Sequence, residues 1–129
     1  MLKKVYICFS STDNPKDNFR KASRYSRYAL LCNTAPIIPQ YYSFSLDEHI
    51  QKEREIGIAA GLSLLWFCDE MWVFGDKEKM KRSREINFCE NVGIKIVYIS
   101  KALVKKKIGG INKWKRKFSE LSHALHSSQ

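Results

Sequence analysis

The sequence predicts an α/β fold in which a parallel sheet of four or five strands carries helices on both faces. Short runs rich in β-branched and aromatic residues alternate along the chain with longer stretches whose apolar residues recur at helical spacing. Parallel neighbours need crossover connections, and this alternation supplies them. The third predicted strand, Met71 to Gly75, is apolar throughout, as expected of a strand covered on both faces. We therefore expect it to lie centrally, in a sheet with strand order 2-1-3-4.

The first half of the chain carries the signals for two strands and two helices. Lys3 to Phe9 is a β-rich run, and the helix that follows, Lys16 to Asn33, has Asn14 as a good N-cap. Ala35 to Pro39 is bounded by prolines, which lack the N–H that a sheet uses, so we expect a short edge strand there. A long helix is predicted from Asp47 to Cys68, with glycines and alanines that let it lie close against the sheet.

The second half is expected to complete the same pattern. After the third strand, apolar spacing predicts a helix over Lys77 to Asn91, with Gly93 as its C-cap. Ile94 to Ile99 is the fourth strand, and a basic tail at about residues 101–129 follows it. Because no linker or internal repeat interrupts the chain, we expect residues 1–129 to form a single domain. The tail is predicted to contain a last helix with an apolar face of Trp114, Phe118, Leu121 and Leu125.

Composition narrows the class of protein. A hydrophobic content of 44% suffices for a packed core, and four cysteines without a C-x-x-C pair fit free thiols in a reducing cytoplasm. The longest apolar segment is shorter than the roughly 20 residues that span a bilayer, so we expect no membrane association. The three histidines lack partners at metal-ligand spacing, and we expect neither a metal nor a cofactor.

The net charge of +10 is concentrated in one half of the chain. Residues 1–76 hold nine basic and nine acidic side chains, so the whole excess lies in residues 77–129. A basic excess attracts nucleic acid, acidic lipid and phosphorylated small molecules alike. One hypothesis is a nucleic-acid interface with Trp114 available for stacking; the alternative is a solvated helix face. The basic side chains concerned are Lys101, Lys105, Lys106, Lys107, Lys113, Lys115, Arg116 and Lys117.

Polar side chains gather at the predicted carboxyl edge of the sheet. Ligands of open α/β sheets bind outside the carboxyl ends of the strands, and the helix N-terminus after the first strand attracts anions. We therefore predict a pocket there for a polar ligand, with a phosphorylated one as an alternative. In contrast, Asp69 and Glu70 lie at the opposite edge, and we expect them to end the long helix and keep the turn hydrated. The candidate ligand-binding residues are Ser10, Ser11, Thr12, Asp13, Asn14, Gln40, Tyr41, Asp76 and Ser100.

Five motifs occur in a fixed order within residues 3–99. They are Lys4-Val5-Tyr6-Ile7-Cys8, the helix pattern Asn18-x-x-x-Ala22-x-x-Tyr25-x-x-Tyr28-Ala29, Pro36-Ile37-Ile38-Pro39, Cys68-Asp69-Glu70-Met71-Trp72-Val73-Phe74-Gly75, and Arg84-Glu85-Ile86 before Gly93-Ile94. As an ordered set they resemble the nucleoside 2-deoxyribosyltransferase-like proteins, and more closely a small uncharacterised bacterial and phage branch of that superfamily. The basic tail lies outside this resemblance.

The resemblance implies a flavodoxin-like three-layer sandwich that cleaves the N-glycosidic bond of a nucleoside or nucleotide. By position, Glu85 corresponds to the glutamate that attacks the anomeric carbon, and Tyr6 to the tyrosine that orients it. A carboxylate suits this step because it traps an oxocarbenium-like centre as a covalent sugar ester. We expect the Glu85 carboxylate to lie near Tyr6, with Arg84 pointing elsewhere. The alternative is that Glu85 is a solvated helix residue.

Several positions depart from the pattern of the catalytic relatives. Gly61 stands where the transferases carry an acidic residue, and Gln40 where the related branch tends to have histidine. The loop before Glu85 is rich in lysine rather than glycine, and Ser10 to Thr12 replace a Pro-aromatic-Arg turn. These departures favour an alternative function, in which the protein binds or sequesters a nucleotide-like ligand without turning it over.

The aromatic loop Tyr41-Tyr42-x-Phe44 has no obvious cover within so small a domain. Exposed aromatic clusters commonly mark interfaces between proteins. The relatives with known chemistry are oligomers with shared sites, and the resemblance extends this property to the present chain. We therefore expect a homo-oligomer in which a second subunit completes the pocket.

Overall fold

The computed structural model of the chain describes residues 1–80, 83–109 and 119–124. Its strands are β1 (Lys3–Phe9), β2 (Thr34–Ile37), β3 (Glu70–Phe74) and β4 (Lys95–Ile99). They form a parallel sheet in the order β2-β1-β3-β4. This result confirms the predicted strand order and the edge position of the second strand.

Helices cover both faces of the sheet. One face is packed by α1 (Pro15–Leu31) and α5 (Lys101–Ile108), and the other by α2 (Gln51–Leu65) and α4 (Arg84–Val92). The domain is therefore a three-layer, flavodoxin-like α/β sandwich, as predicted. In the described ranges, no helix combines the length and the apolar character needed to cross a membrane. The remaining elements are α3 (Lys77–Met80), a 3₁₀ helix over Pro39–Phe44, and a helical stretch at residues 119–124.

The boundaries of α1 follow from local side-chain chemistry. The Asn14 side chain accepts hydrogen bonds from the backbone N–H groups of Lys16 and Asp17, which confirms it as the N-cap. Pro15 occupies the first turn, where a missing N–H costs nothing. At the other end, Asn33 has a φ of 59°, a left-handed conformation that asparagine tolerates. The chain therefore turns directly from α1 into β2.

Two predicted elements are corrected by the structure. The helix predicted over Lys77 to Asn91 is in fact two helices, α3 and α4. The break arises because the Ser83 side chain accepts the N–H of Ile86 and starts a new helix. The strand predicted to reach Pro39 ends at Ile37, and Pro39 begins the 3₁₀ helix instead.

The long helix and the tail also differ from the prediction. The helix predicted from Asp47 to Cys68 is shorter, because residues 47–50 belong to the loop that precedes α2. Helix α5 falls within the basic tail that was predicted to be helical, but a separate helix with these bounds was not predicted; Ser100 caps its N-terminus, and Gly109, at a φ of 84°, ends it. Of the four residues in the predicted apolar face of the tail, only Leu121 lies within the described residues, where it is exposed.

Alternate residues of β1 point to opposite faces of the sheet. Val5, Ile7 and Phe9 join the apolar cluster beneath α1 and α5. Tyr6 and Cys8 join the separate cluster beneath α2 and α4. Strand β3 is buried along its whole length, which confirms that it lies centrally. The two faces of the sheet therefore present different side chains, and each set packs against a different pair of helices.

Asp69 and Glu70 have structural partners. The Asp69 carboxylate accepts the Lys4 N–H at 2.8 Å, and the Asp69 N–H donates to the Lys4 carbonyl at 2.9 Å. Glu70 lies within β3 rather than in a hydrated turn, and it accepts from Lys3 Nζ at 2.9 Å and from Trp72 Nε1 at 3.0 Å. Neither residue ends the long helix as expected, since α2 ends at Leu65, and the predicted hydrated position of Glu70 is wrong; both instead connect β3 to β1 through Lys3 and Lys4.

Candidate functional site

Helix α4 turns the Glu85 side chain toward the sheet. Ile86 and Cys89 are 1% and 0% exposed, and they fix the inner side of this helix. Glu85 lies next to that inner side and is half-buried. The Arg84 guanidinium points away from it and binds the Glu55 carboxylate at 2.8 and 3.1 Å. The predicted orientations of Glu85 and Arg84 are both observed.

The Glu85 carboxylate contacts two side chains of β1. The Cys8 thiol donates to Glu85 Oε2 over 3.6 Å, and the Tyr6 side chain is near enough to the same carboxylate to lower its pKa. Tyr6 and Cys8 are two residues apart on one strand, so they face α4 together. The structure thus brings Glu85 and Tyr6 together as predicted. It adds Cys8, which the sequence pattern indicated only as a buried thiol.

Burial dominates the electrostatics of this group. It raises the pKa of Glu85 above the ordinary glutamate value, because the carboxylate loses hydration there. Hydrogen bonds from Cys8, from the Glu85 backbone and from Tyr6 partly oppose this rise in pKa. Burial also raises the pKa values of Tyr6 and Cys8, and the neighbouring Glu85 charge raises both further. Both neighbours therefore stay protonated near neutral pH and serve Glu85 as donors.

Glu85 opens onto a cleft of about 190 Å³ between the loop after β1, the 3₁₀ helix and α2. Ser11 and Gln40, two of the predicted ligand-binding residues, line this cleft. The Gln40 amide donates to the Phe9 carbonyl over 3.4 Å, whereas its Oε1 atom is buried without a hydrogen-bond partner among the described residues. A buried acceptor without a partner is unfavourable. Gln40 therefore keeps an unused acceptor at the wall of the cleft.

Three charged residues around the start of α2 line the same cleft. They are Glu48, Glu53 and Arg54. The Arg54 guanidinium donates to the backbone carbonyl of Glu48 over 3.4 Å, which holds this cation at the wall of the cleft. None of the three was predicted as a site residue, because in the sequence they form part of the charged first half of a predicted helix. Their position after the aromatic loop indicates that they lie near the carboxyl edge of the sheet. Nothing in the sequence, however, indicates that this loop folds back over Glu85.

A larger groove of about 780 Å³ adjoins the cleft. Ser43, Leu46, Glu48 and Arg54 line both of them, so the cleft and the groove lie side by side. Thr12 and Asp13 line the groove, as expected of the loop after β1. Small-molecule sites typically measure about 300–1,000 Å³. The cleft and the groove together are therefore large enough for a ligand with several polar groups.

Asn18 fixes the loop after β1. Its side chain accepts the Thr12 N–H at 2.7 Å and donates to the Thr12 carbonyl at 2.8 Å. The Ser10 hydroxyl donates to a methionine sulfur of α3 at 3.0 Å, and the Asn14 side chain caps α1. The predicted ligand loop therefore divides into a lining part, Ser11 to Asp13, and two residues with structural partners.

Three other predicted ligand residues lie outside the described lining of the cleft and the groove. Asp76 Oδ1 accepts the N–H of Glu78 at 2.9 Å, at the start of α3. Ser100 Oγ accepts the N–H of Leu103 at 3.2 Å, at the start of α5. Tyr41 is 45% exposed. The polar groups after β3 and β4 thus serve helix N-termini.

The basic residues of the second half are only partly described. Lys101 and the run Lys105 to Lys107 lie on α5 and are exposed. Lys113, Trp114 and residues 115–117 lie outside the described residues. A nucleic-acid interface in this region stays a prediction.

Residues 3–99 match the family described as Domain of unknown function (DUF7768). The chain belongs to this family. The matched range includes the four strands of the sheet together with Tyr6, Gln40 and Glu85, and it ends before α5. No curated protein matches the chain. The resemblance to nucleoside 2-deoxyribosyltransferase-like proteins stays a prediction.

Proposed function

We propose that the cleft beside Glu85 binds a nucleoside or nucleotide, and that Glu85 cleaves or transfers its N-glycosidic bond. One observation carries the proposal. The half-buried Glu85 carboxylate meets Tyr6 and Cys8 on β1 and lines the cleft. Two donors fix the carboxylate in one orientation toward a bound ligand, which is the contribution that positioning makes to catalysis. Glu85 and Tyr6 are also the positions that the family resemblance implies.

In the proposed reaction, Glu85 attacks the anomeric carbon of the sugar while the bond to the base breaks. The electron pair of that bond goes to the base nitrogen, which takes up a proton, and the sugar remains as an ester on Glu85. Water or a second base then attacks the ester and restores the carboxylate. Glu48 and Glu53 line the same cleft and are candidates for protonating the leaving base.

Neighbouring groups supply the contacts for recognition. The Gln40 Oε1 atom, which lacks a partner among the described residues, can accept from a sugar hydroxyl or a base N–H. Arg54 lines both the cleft and the groove, and its guanidinium suits a phosphate group. A nucleotide therefore fits these contacts better than an uncharged nucleoside does.

The experiment is to incubate the protein with deoxynucleosides and their monophosphates and to follow free base by chromatography. We expect release by the wild type and a loss of roughly 10³-fold or more in Glu85→Gln, which removes the anionic nucleophile but keeps the shape. Ligand binding, measured as a thermal shift, should persist in the variant. Glu90→Gln, an exposed change on the same helix, serves as the matched control and should keep full activity.

Two results would contradict the catalytic proposal. The first is release of base by Glu85→Gln at the wild-type rate. The second is the absence of release from every substrate by the wild type, even where a thermal shift shows that the ligand binds.

A second candidate function, binding without turnover, is favoured by the surroundings of Gly61. A Cβ atom at this position would lie 3.0 Å from the Tyr6 hydroxyl oxygen. The position that is acidic in the catalytic relatives therefore has no room here for a carboxylate side chain. The expected signature of this function is a thermal shift with nucleotides and no released base, in the wild type and in Glu85→Gln alike.

We also propose that a second copy of the chain completes the site. Tyr42 lines the cleft and Phe44 lines the groove, yet they are 38% and 48% exposed. Exposed aromatic residues at the mouth of a site fit an interface between subunits. Sedimentation should therefore show a dimer or a larger oligomer. A monomer of 15.1 kDa at high concentration would contradict this proposal.

A further inference from the structure

A second cavity lies on the opposite face of the sheet from Glu85. It has a volume of about 380 Å³ and sits between α1 and α5 at the carboxyl edge. Phe74 and Ile99, which line it, belong to the cluster beneath α1 and α5, whereas the residues around Glu85 belong to the other cluster. The sheet itself therefore separates the cavity from the cleft.

The wall of this cavity is aromatic and aliphatic. The Tyr25 ring stacks on Phe74 with centroids 4.2 Å apart and an angle of 14° between the planes. Val104 of α5 completes the wall. An added Cβ at Gly75 would have no atom within 4 Å, so the backbone itself borders open space at this point. Such a wall suits the flat or acyl body of a small molecule.

Cations border the apolar wall. Arg24, Lys101 and Lys105 line the cavity, and no carboxylate lies among its described lining residues. The Arg24 Nη1 atom is buried and has no hydrogen-bond partner among the described residues. Burying a charged donor without an acceptor is costly. The Arg24 guanidinium at the cavity wall therefore keeps unused donor capacity.

We propose that this cavity binds a small amphipathic anion, an aromatic or acyl body that carries one carboxylate or phosphate group. The apolar body lies against Tyr25 and Phe74. The anionic group meets Arg24 of α1, and Lys101 and Lys105, one turn apart on α5, add positive charge at the cavity wall. This site is distinct from the nucleotide cleft, since it lies on the other face of the sheet and uses none of the residues around Glu85.

The test is isothermal titration calorimetry with 2-naphthoate and its neutral counterpart, 2-naphthamide. We expect 2-naphthoate to bind the wild type about tenfold more tightly than the amide, since a hydrogen-bonded ion pair adds that much affinity. Arg24→Met and Lys105→Met should each weaken 2-naphthoate binding about tenfold and leave amide binding unchanged. Lys106→Met is the matched control, because it removes the same charge from the adjacent position of α5, outside the cavity.

Each contrary outcome would overturn the proposal. Equal binding of the acid and the amide would show a plain apolar cavity, and no binding at millimolar concentration would show no site. If Lys106→Met weakens 2-naphthoate binding as much as Lys105→Met does, the effect is diffuse attraction by the basic helix. Lys105 is exposed, so its variant stays informative even if Arg24→Met fails to fold. Glu85→Gln should bind 2-naphthoate like the wild type, which keeps this result separate from the proposed function.

Discussion

The two faces of the sheet are packed by different kinds of side chain. Beneath α1 and α5 the core is built from rings: Tyr25 stacks on Phe74 at 4.2 Å, and Tyr28 meets Trp72 and Phe74 edge-on, each at 5.9 Å. Such ring pairs have a preferred geometry and stabilise beyond their buried area. Beneath α2 and α4 the core is rich in sulfur instead, with Cys8, Cys68, Met71, Met80 and Cys89.

Glu70 lies on the ring face and Glu85 on the sulfur face, and their pKa values are shifted in opposite directions. On the ring face, the hydrogen bond from Trp72 and the interaction with Lys3 lower the pKa of Glu70. On the sulfur face, burial raises the pKa of Glu85, and weaker donors oppose the shift only in part. The comparison shows that Glu70 is stabilised as a structural anion, whereas Glu85 is held in a site that disfavours its charge. A titratable group whose pKa is shifted by burial beside a cleft is typical of functional sites.

The largest expected effect concerns the rings. Phe74→Ala should lower the free energy of unfolding by about 3–5 kcal/mol, because it removes a buried ring together with its stacking on Tyr25. Met71→Leu, a swap on the sulfur face at nearly constant volume, should cost under about 1.5 kcal/mol. Urea unfolding monitored by circular dichroism gives both values. If both variants lowered the free energy of unfolding by the same amount, the ring contacts would not distinguish the two faces.

The next effect concerns Glu70. Glu70→Ala should lower the free energy of unfolding by roughly 1–3 kcal/mol at pH 7, since it leaves the Trp72 indole N–H buried without a partner. Glu70→Gln keeps an acceptor and isolates the contribution of the charge. Because folding lowers the Glu70 pKa, the charge stabilises the fold above the unfolded-state pKa, and this gain is lost as pH falls through the folded-state pKa.

Urea unfolding across acidic pH therefore tests the sign of this effect. The deficit of Glu70→Gln against the wild type should be present at pH 7 and should disappear at acidic pH, below the lowered Glu70 pKa. A deficit that grows on acidification would contradict the assignment of Glu70 as a stabilised anion.

The smallest effect separates two glycines of α2. Gly57→Ala should raise the free energy of unfolding by roughly 0.5–1 kcal/mol, because alanine favours a helix and the nearest atom, Leu46 Cδ1 at 3.2 Å, ends a flexible side chain. Gly61→Ala should not raise the free energy of unfolding. Its Cβ would press on the hydroxyl of Tyr6, which is 2% exposed and cannot move aside. We expect thermal unfolding and base release to differ between the two variants. If both variants behaved alike, the position of the Tyr6 hydroxyl would not matter for stability or for base release.

Much of the fold was predictable because its signals are local. The alternation of strands and helices, the apolar β3 and the Asn14 cap each lie within a few neighbouring residues. Helix α5 was not predicted as a separate helix because Val104 and Ile108 provide only a short apolar stripe among lysines. The break between α3 and α4 was missed because the capping role of Ser83 competes with a continuous helical pattern across it.

The site was predictable only in part. The meeting of Glu85 and Tyr6 follows from strand order and from the side of α4 that faces the sheet, and the family resemblance pointed to both residues. Asp76 and Ser100 were predicted as ligand residues because polar groups follow their strands, but serine and aspartate also cap helices. Arg54 lies in the first turn of α2, and it lines the cleft because the preceding loop brings the start of α2 to this edge of the sheet. Local sequence spacing does not predict where that loop runs.

The proposed function requires that Glu85 is a desolvated carboxylate whose pKa is raised by burial. The most direct test is a ¹³C NMR titration of the glutamate side-chain carboxyl carbons, with Glu85→Gln identifying the Glu85 resonance. We predict that Glu85 titrates above the ordinary glutamate range, because its burial disfavours the charged form. A Glu85 midpoint equal to that of the exposed glutamates would contradict the account.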